Sequence, residues 1–176
     1  SPTAKETIVM PTGVVPGFGG LHVELSSTAM VGLGEGARYL VQYPYGCAEQ
    51  QASRAFALIM ASDLGEAFNL PGIDPKNLRS VSQTTLRELS KFQCPNGGFA
   101  YWPGACFSPS PYLSSYILHV FNHAESLKYD VDKNVVERAY TYLERELAEP
   151  DPLDQGWSPA YTAWQTFAVK VLAEGG

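Results

Sequence analysis

The stretch Tyr43-Pro44-Tyr45-Gly46-Cys47-Ala48-Glu49-Gln50 sets a thiol and a primary carboxamide three residues apart, where a Pro/Gly loop passes into an apolar helical pattern. Pro44 closes the segment before it, because its ring disfavours helical backbone at Tyr43. From Cys47 onward the apolar residues recur with helical period, which predicts a helix over 47–64. Cys47 and Gln50, at i and i+3 of its first turn, share one face with Cβ atoms about 5–6 Å apart.

On either side of this stretch the same periodicity predicts helices over 29–42, 75–92, 111–127, 132–148 and 158–173. Their boundaries carry local signals. Asp74 is an N-cap with Pro75 at the first helical position, and Ser110-Pro111 and Ser158-Pro159 repeat that arrangement. Gly65, Gly97 and Gly98 are expected to mark ends. Residues 1–20 read as extended chain, and Leu21, Val23 and Leu25 alternate with polar residues as a half-buried strand does. Residues 1–28 therefore read as a β segment of a neighbouring domain, and 29–176 as a helical unit. A weak repeat supports stacked helical hairpins: Asn96-Gly97-Gly98-Phe99 and Asp154-Gln155-Gly156-Trp157 each precede a Ser-Pro start and an aromatic-rich helix. The loop aromatic plugs the hairpin end, and glycine permits the turn. One such hairpin cannot bury its own apolar stripe, so neighbours must stack or curl into a ring.

With 45% hydrophobic and 17% charged residues, the chain is an ordinary globular one. The net charge of −6 and the absence of any basic run exclude a nucleic-acid footprint. The chain starts at Ser1 and stops just after a helical pattern, which reads as an excised fragment. Of the three cysteines, Cys94 and Cys106 flank a Gly/Pro-rich loop. They form either a disulfide, contributing about 3 kcal/mol and pointing to an oxidising compartment, or two reduced, half-buried thiols. Cys47 is the one left over.

At the Cys47–Gln50 spacing, the thiol can attack the carboxamide carbon, expel ammonia and leave an internal thioester. Sulfur overlaps poorly with a carbonyl, so the product is a stored acyl donor. A helix N-terminus stabilises negative charge developing on the sulfur, and its N–H groups can stabilise the oxyanion of a tetrahedral intermediate. Such a bond must be kept dry. Tyr43, Tyr45, Tyr101 and Trp102 are the aromatics that the sequence places to shield it.

The run Pro44-Tyr45-Gly46-Cys47-Ala48-Glu49-Gln50 resembles the Pro-Tyr-Gly-Cys-Gly-Glu-Gln thioester motif of the α2-macroglobulin and complement thioester protein family. The one departure is Ala48 for Gly, a variation of the bacterial α2-macroglobulin branch. Supporting pattern extends over most of residues 20–173. The resemblance implies a mostly α fold: part of an α/α toroid, about half the ring, with a short N-terminal β segment. It implies a Cys47–Gln50 thioester supported by Glu49, in a broad-spectrum inhibitor that is consumed as it traps a protease and is not a turnover enzyme. The expected partners are proteases, bound covalently through Lys amines, and the other domains of the parent chain. The expected location is periplasmic or extracellular, with lipid anchoring of the parent left open. Complement-type members use a later His to direct transfer to hydroxyls; the matching loop here, 149–158, contains none, so amines are the expected acceptors.

Other readings compete. His119 and His123 stand at i and i+4 near Glu125, a spacing that can bind metal. No third ligand matches, and neither metal nor cofactor is expected. Tyr112, Tyr116, Phe121, Tyr161, Trp164 and Phe167 recur at helical spacing and read as core. A helical binding module with an inert Cys47, or a cysteine-nucleophile hydrolase or acyltransferase, are the alternatives. The latter needs a base, and His22, His119 and His123 lack a recognisable partner pattern.

Overall fold

The structure, a computed structural model, describes residues 3, 5, 7–9, 11–20, 23, 33–43, 46–68, 74–149 and 159–175. Tyr45, His22, the expected strand around Val23 and the loop 150–158 with Asp154 and Gln155 lie outside the described residues, Val23 itself apart.

Among the described residues there are six α-helices: α1 Leu33–Val41, α2 Ala48–Phe68, α3 Pro75–Leu89, α4 Pro111–Ser126, α5 Lys133–Ala148 and α6 Pro159–Gly175. Three starts are capped as their sequences require. Asp74 accepts from the N–H groups of Lys76 and Asn77, Ser110 from Leu113, and Asp132 from Asn134. Two boundaries differ from expectation. Gly65 does not end α2, which continues to Phe68 with Gly65 buried inside it. Burial of the turn offsets the cost of a helical glycine, about 1 kcal/mol. The helix expected over 75–92 becomes 3₁₀ at Ser90–Phe92. Gln93 must then be extended to bridge Phe99.

Helices α2 and α4 pack against each other; α3 and α1 cover α2, while α5 and α6 cover α4. Small residues make the close approach possible. Ala48, Ala52, Ala55 and Ile59 form one fully buried stripe of α2 in the main core. Leu58 and Ala61, on another face, join Ala37 of α1 and Leu78 of α3. Helix α4 buries Leu113, Ile117, Leu118, Val120, Phe121 and Ala124.

The Asn96-Gly97-Gly98-Phe99 loop closes the end of this assembly. Phe99 is fully buried, meets Phe121 edge-on at 6.2 Å, and its N–H donates to Ser114 Oγ at 2.8 Å. The glycines are required by close approach. A Cβ on Gly97, whose φ is +94°, would lie 2.2 Å from the Arg138 carbonyl oxygen, and one on Gly98 would lie 2.6 Å from the Tyr142 ring.

The aromatics expected in the core divide. Phe121 is buried, while Tyr116, Trp164 and Phe167 pack half-buried against the core. Tyr112 is 46% exposed, because it stands in the first turn of α4 at the rim, beside Glu49, Tyr101 and Tyr116. The side chain of Tyr161 is not among those described.

Candidate functional site

Cys47 immediately precedes α2, and its carbonyl accepts the first helical hydrogen bond, from Gln51 at 2.9 Å. Gln50 occupies the third helical position. Its side chain bends back so that Oε1 accepts from the Cys47 backbone N–H at 3.4 Å. This is one half of a capping box, with cysteine in the place a serine or threonine usually takes. The same bend that satisfies a helix-end donor brings the Gln50 carboxamide to the residue bearing the thiol. Cys47 is partly buried and is not disulfide-bonded. Glu49, also in the first turn, suits the positive end of the helix.

Two other parts of the chain hold this turn. The Ala48 N–H donates to the Tyr101 carbonyl at 3.0 Å, tying the helix start to the loop 94–106. That loop is closed by a bond between Cys94 and Cys106, whose Cα atoms are 5.4 Å apart. On the other side, Arg54 Nη2 donates to the Val41 carbonyl at 2.6 Å, fixing the end of α1. There the chain leaves the helix through Gln42 and Tyr43, whose N–H groups donate to Tyr39 and Leu40.

Gln50 opens into a groove of about 540 Å³, lined by Tyr39, Tyr43, Glu49, Ser53 and Arg54 among others. The rings of Tyr39 and Tyr43 pack tilted, 5.7 Å between centroids. The Ser53 hydroxyl and the Tyr116 phenol share a hydrogen bond of 3.0 Å, linking α2 to α4. The Tyr112 phenol is raised above its ordinary pKa, first by burial and then by the Glu49 carboxylate.

The sequence-selected residues are thus placed as follows. Cys47, Glu49 and Gln50 share the start of α2, and Tyr43 lines the groove with Glu49 and Gln50. Tyr101 reaches the turn through its backbone carbonyl, while Tyr101 and Trp102 are 39% and 58% exposed. His119 and His123 are engaged within the helical core. His119 Nδ1 lies 2.7 Å from Glu174, His123 Nε2 lies 3.1 Å from Met60 Sδ, and Phe56 packs against both rings. Among the described residues no cluster of three or more His, Cys, Asp or Glu side chains is found. Arg54, Ser53 and Tyr112 were not legible as part of the site. Arg54 alone had a signal, since it lies one turn from Gln50 on the same face.

Comparison with known proteins places this geometry. Residues 22–149 match the family model described as the A-macroglobulin TED domain. The chain is 27% identical over 161 residues to an α2-macroglobulin of Rickettsia conorii, covering 91% of this chain and 8% of that protein. It is 32% identical over 138 residues to a Yersinia pestis homologue, covering 78% and 7%. Among solved structures, it is similar to native Escherichia coli α2-macroglobulin from domain MG7 to the C-terminus, with a TM-score of 0.65 and 27% identity over 80% of this chain and 23% of that one. It is also similar to Salmonella α2-macroglobulin reacted with methylamine, with a TM-score of 0.64 and 28% identity, covering 80% and 9%. The chain therefore spans less than a tenth of the length of these two relatives. Its hairpins of helices form part of an α/α toroid. The chain belongs to the α-macroglobulin family, in its bacterial α2-macroglobulin branch.

Proposed function

We propose that this chain is the thioester-bearing segment of a protein that traps proteases covalently. The observation that carries the reading is the Gln50 carboxamide folded back onto Cys47, its Oε1 3.4 Å from the Cys47 N–H, within the family motif. In the formation step, Cys47 Sγ attacks Gln50 Cδ; the C–N bond breaks, and ammonia leaves with the thiol proton. Gln50 Oε1 becomes the acyl oxygen. The Cys47 N–H that it accepts is then placed to stabilise the charge that builds there when a nucleophile attacks.

In the trapping step, a Lys amine of the protease attacks Cδ. The amine gives up a proton, an isopeptide bond forms, and Cys47 leaves as a thiolate that is then protonated. The groove beside Tyr39, Tyr43 and Glu49 gives the nucleophile its approach, with Tyr43, Tyr45, Tyr101 and Trp102 as the shielding aromatics. The bond is consumed once, so the protein acts as an inhibitor and not as a turnover enzyme. Residues 29–176 belong to the thioester domain, and 1–28 belong to a preceding β domain. A periplasmic or extracellular site is supported by the Cys94–Cys106 pairing.

The test is capture by the full-length parent. Mixed with trypsin, it should give a denaturant-stable conjugate whose cross-linked peptide joins Gln50 to a trypsin Lys. Trypsin with dimethylated lysines should give almost none. Equal capture of dimethylated trypsin would contradict the amine assignment, and absence of any conjugate with native trypsin would contradict the trap.

A further inference from the structure

The loop from Cys94 to Cys106 is anchored unevenly. Its first limb is fixed: Cys94 is buried, the Cys94 N–H donates to Gly98, the Ala100 N–H donates to Phe92, and Arg138 Nη2 donates to the Cys94 carbonyl at 2.7 Å. Its return limb is tied to the stem only at its end, where the Tyr142 phenol donates to the Pro109 carbonyl at 3.4 Å and the Ser110 N–H donates to Phe99. From Tyr101 to Ser108, the backbone hydrogen bonds among the described residues are Ala105 to Trp102, inside the loop, and Ala48 to Tyr101. Trp102 and Phe107 face outward, the latter 93% exposed. The covalent tie from the return limb to the buried stem is therefore the Cys94–Cys106 bond. Tyr101 is held between that bond and the stem, and its carbonyl sits on the first N–H of the helix that bears Gln50.

We infer that the Cys94–Cys106 disulfide is a positioning clamp for the Cys47–Gln50 pair, acting through the Tyr101 carbonyl on Ala48. This inference rests on the thioester reading above. With the disulfide closed, the loop cannot lift from the first turn of α2, and the Cys47–Gln50 geometry is kept. With it open, the segment from Trp102 to Ser108 is released from the stem, the Ala48 N–H loses its acceptor, and the first turn frays. Water then reaches the acyl carbon sooner.

The experiment follows spontaneous appearance of the Cys47 thiol in the full-length parent, by alkylation and peptide mass so that each cysteine is read separately. A phosphine reductant is used because a thiol would cleave the thioester itself. The phosphine takes oxygen from water, and the two sulfurs leave as thiols at Cys94 and Cys106. The expected result is release of Cys47 about fivefold faster after phosphine, the factor carried by one ordinary hydrogen bond. A Cys94→Ser/Cys106→Ser variant should match it. Ala48→Pro removes the donor while suiting the first helical position. It should show the fast release with its disulfide intact, and phosphine should add nothing. A purely structural disulfide would act additively with Ala48→Pro. Additive effects, an unchanged rate after phosphine, or alkylation of Cys94 and Cys106 before any reductant would each overturn the clamp. Should the substituted proteins fail to fold, the phosphine arm on the native protein decides. Failure of the untreated parent to take up methylamine would instead overturn the thioester reading, and the clamp with it.

Discussion

The backbone N–H of Cys47 and Oε1 of Gln50 are 3.4 Å apart, so the two residues of the motif meet through the oxygen that a thioester would carry. One side chain thus serves the helix end and the chemistry, and the two roles are separable. Gln50→Glu keeps an oxygen for the Cys47 N–H and adds a charge that favours the helix N-terminus. A carboxylate, however, has no ammonia to expel. Gln50→Glu should fold with stability within about 0.5 kcal/mol of the native protein, whereas Gln50→Ala should lose about 1 kcal/mol. Both should leave Cys47 freely alkylable. Urea midpoints and thiol counts of the variants check the pair of outcomes.

The glycine loop should rank its substitutions by space. Gly97→Ala meets the Arg138 carbonyl oxygen at a φ of +94°, so both backbone strain and overlap oppose it. A loss of about 3 kcal/mol is expected. Gly98→Ala meets the ring of the buried Tyr142 and should cost about 2 kcal/mol. At Gly104, with a φ of +80° but open space, alanine should cost only about 1 kcal/mol. Denaturation midpoints that put Gly104→Ala above either of the others in cost would contradict this packing.

The disulfide closes a loop with a sequence separation of 12. In the loop-entropy account, replacing both cysteines by serine should lower stability by about 3 kcal/mol. Equilibrium unfolding of the native protein and of the double variant, both without reductant, measures it.

Glu174 ties α6 to α4 through His119 and lies beside Lys170. Burial pushes its carboxyl up, but hydrogen bonds from Lys170 and His119 outweigh it, and the net pKa is lowered. A lowered folded-state pKa stabilises the protein above the ordinary carboxylate range, and that stability is lost as the pH falls through the folded value. Glu174→Gln should therefore be less stable than the native protein near neutrality and equal to it at strongly acidic pH. A gap that persists unchanged through the acid limb would contradict the ion-pair account. The effect should shrink with added salt, because the pair is partly solvated.

The helices were legible because their starts are written locally. Asp74-Pro75 and Ser110-Pro111 place a cap acceptor and a fixed φ at adjacent positions, and both caps form. Ends were less legible, since Gly65 signals a stop that tertiary burial overrides and Gln93 leaves the helix to meet Phe99, six residues ahead. Within the site, the Cys47–Gln50 spacing announces itself because it lies inside one helical turn. The supports of that turn do not. The Tyr101 carbonyl reaches Ala48 from beyond α3 in the chain, and Arg54 reaches Val41 at a sequence separation of 13. A backbone carbonyl carries no residue-type signal, and an arginine on an apolar helix is ordinarily read as solvated. Tyr112 was misplaced for a related reason: helical periodicity gives a face, but not how far along the helix its neighbour extends.

The most direct measurement is the mass of the full-length parent, purified without amines, before and after methylamine, with Cys47 followed by alkylation. The expected mass before treatment is one ammonia below that of the sequence, with Cys47 unreactive. Methylamine should then add once, and a single new thiol should appear at Cys47; Cys47→Ala should show neither change. A parent of full sequence mass, with Cys47 alkylable from the start and no gain on methylamine, would contradict the thioester and the trap built on it.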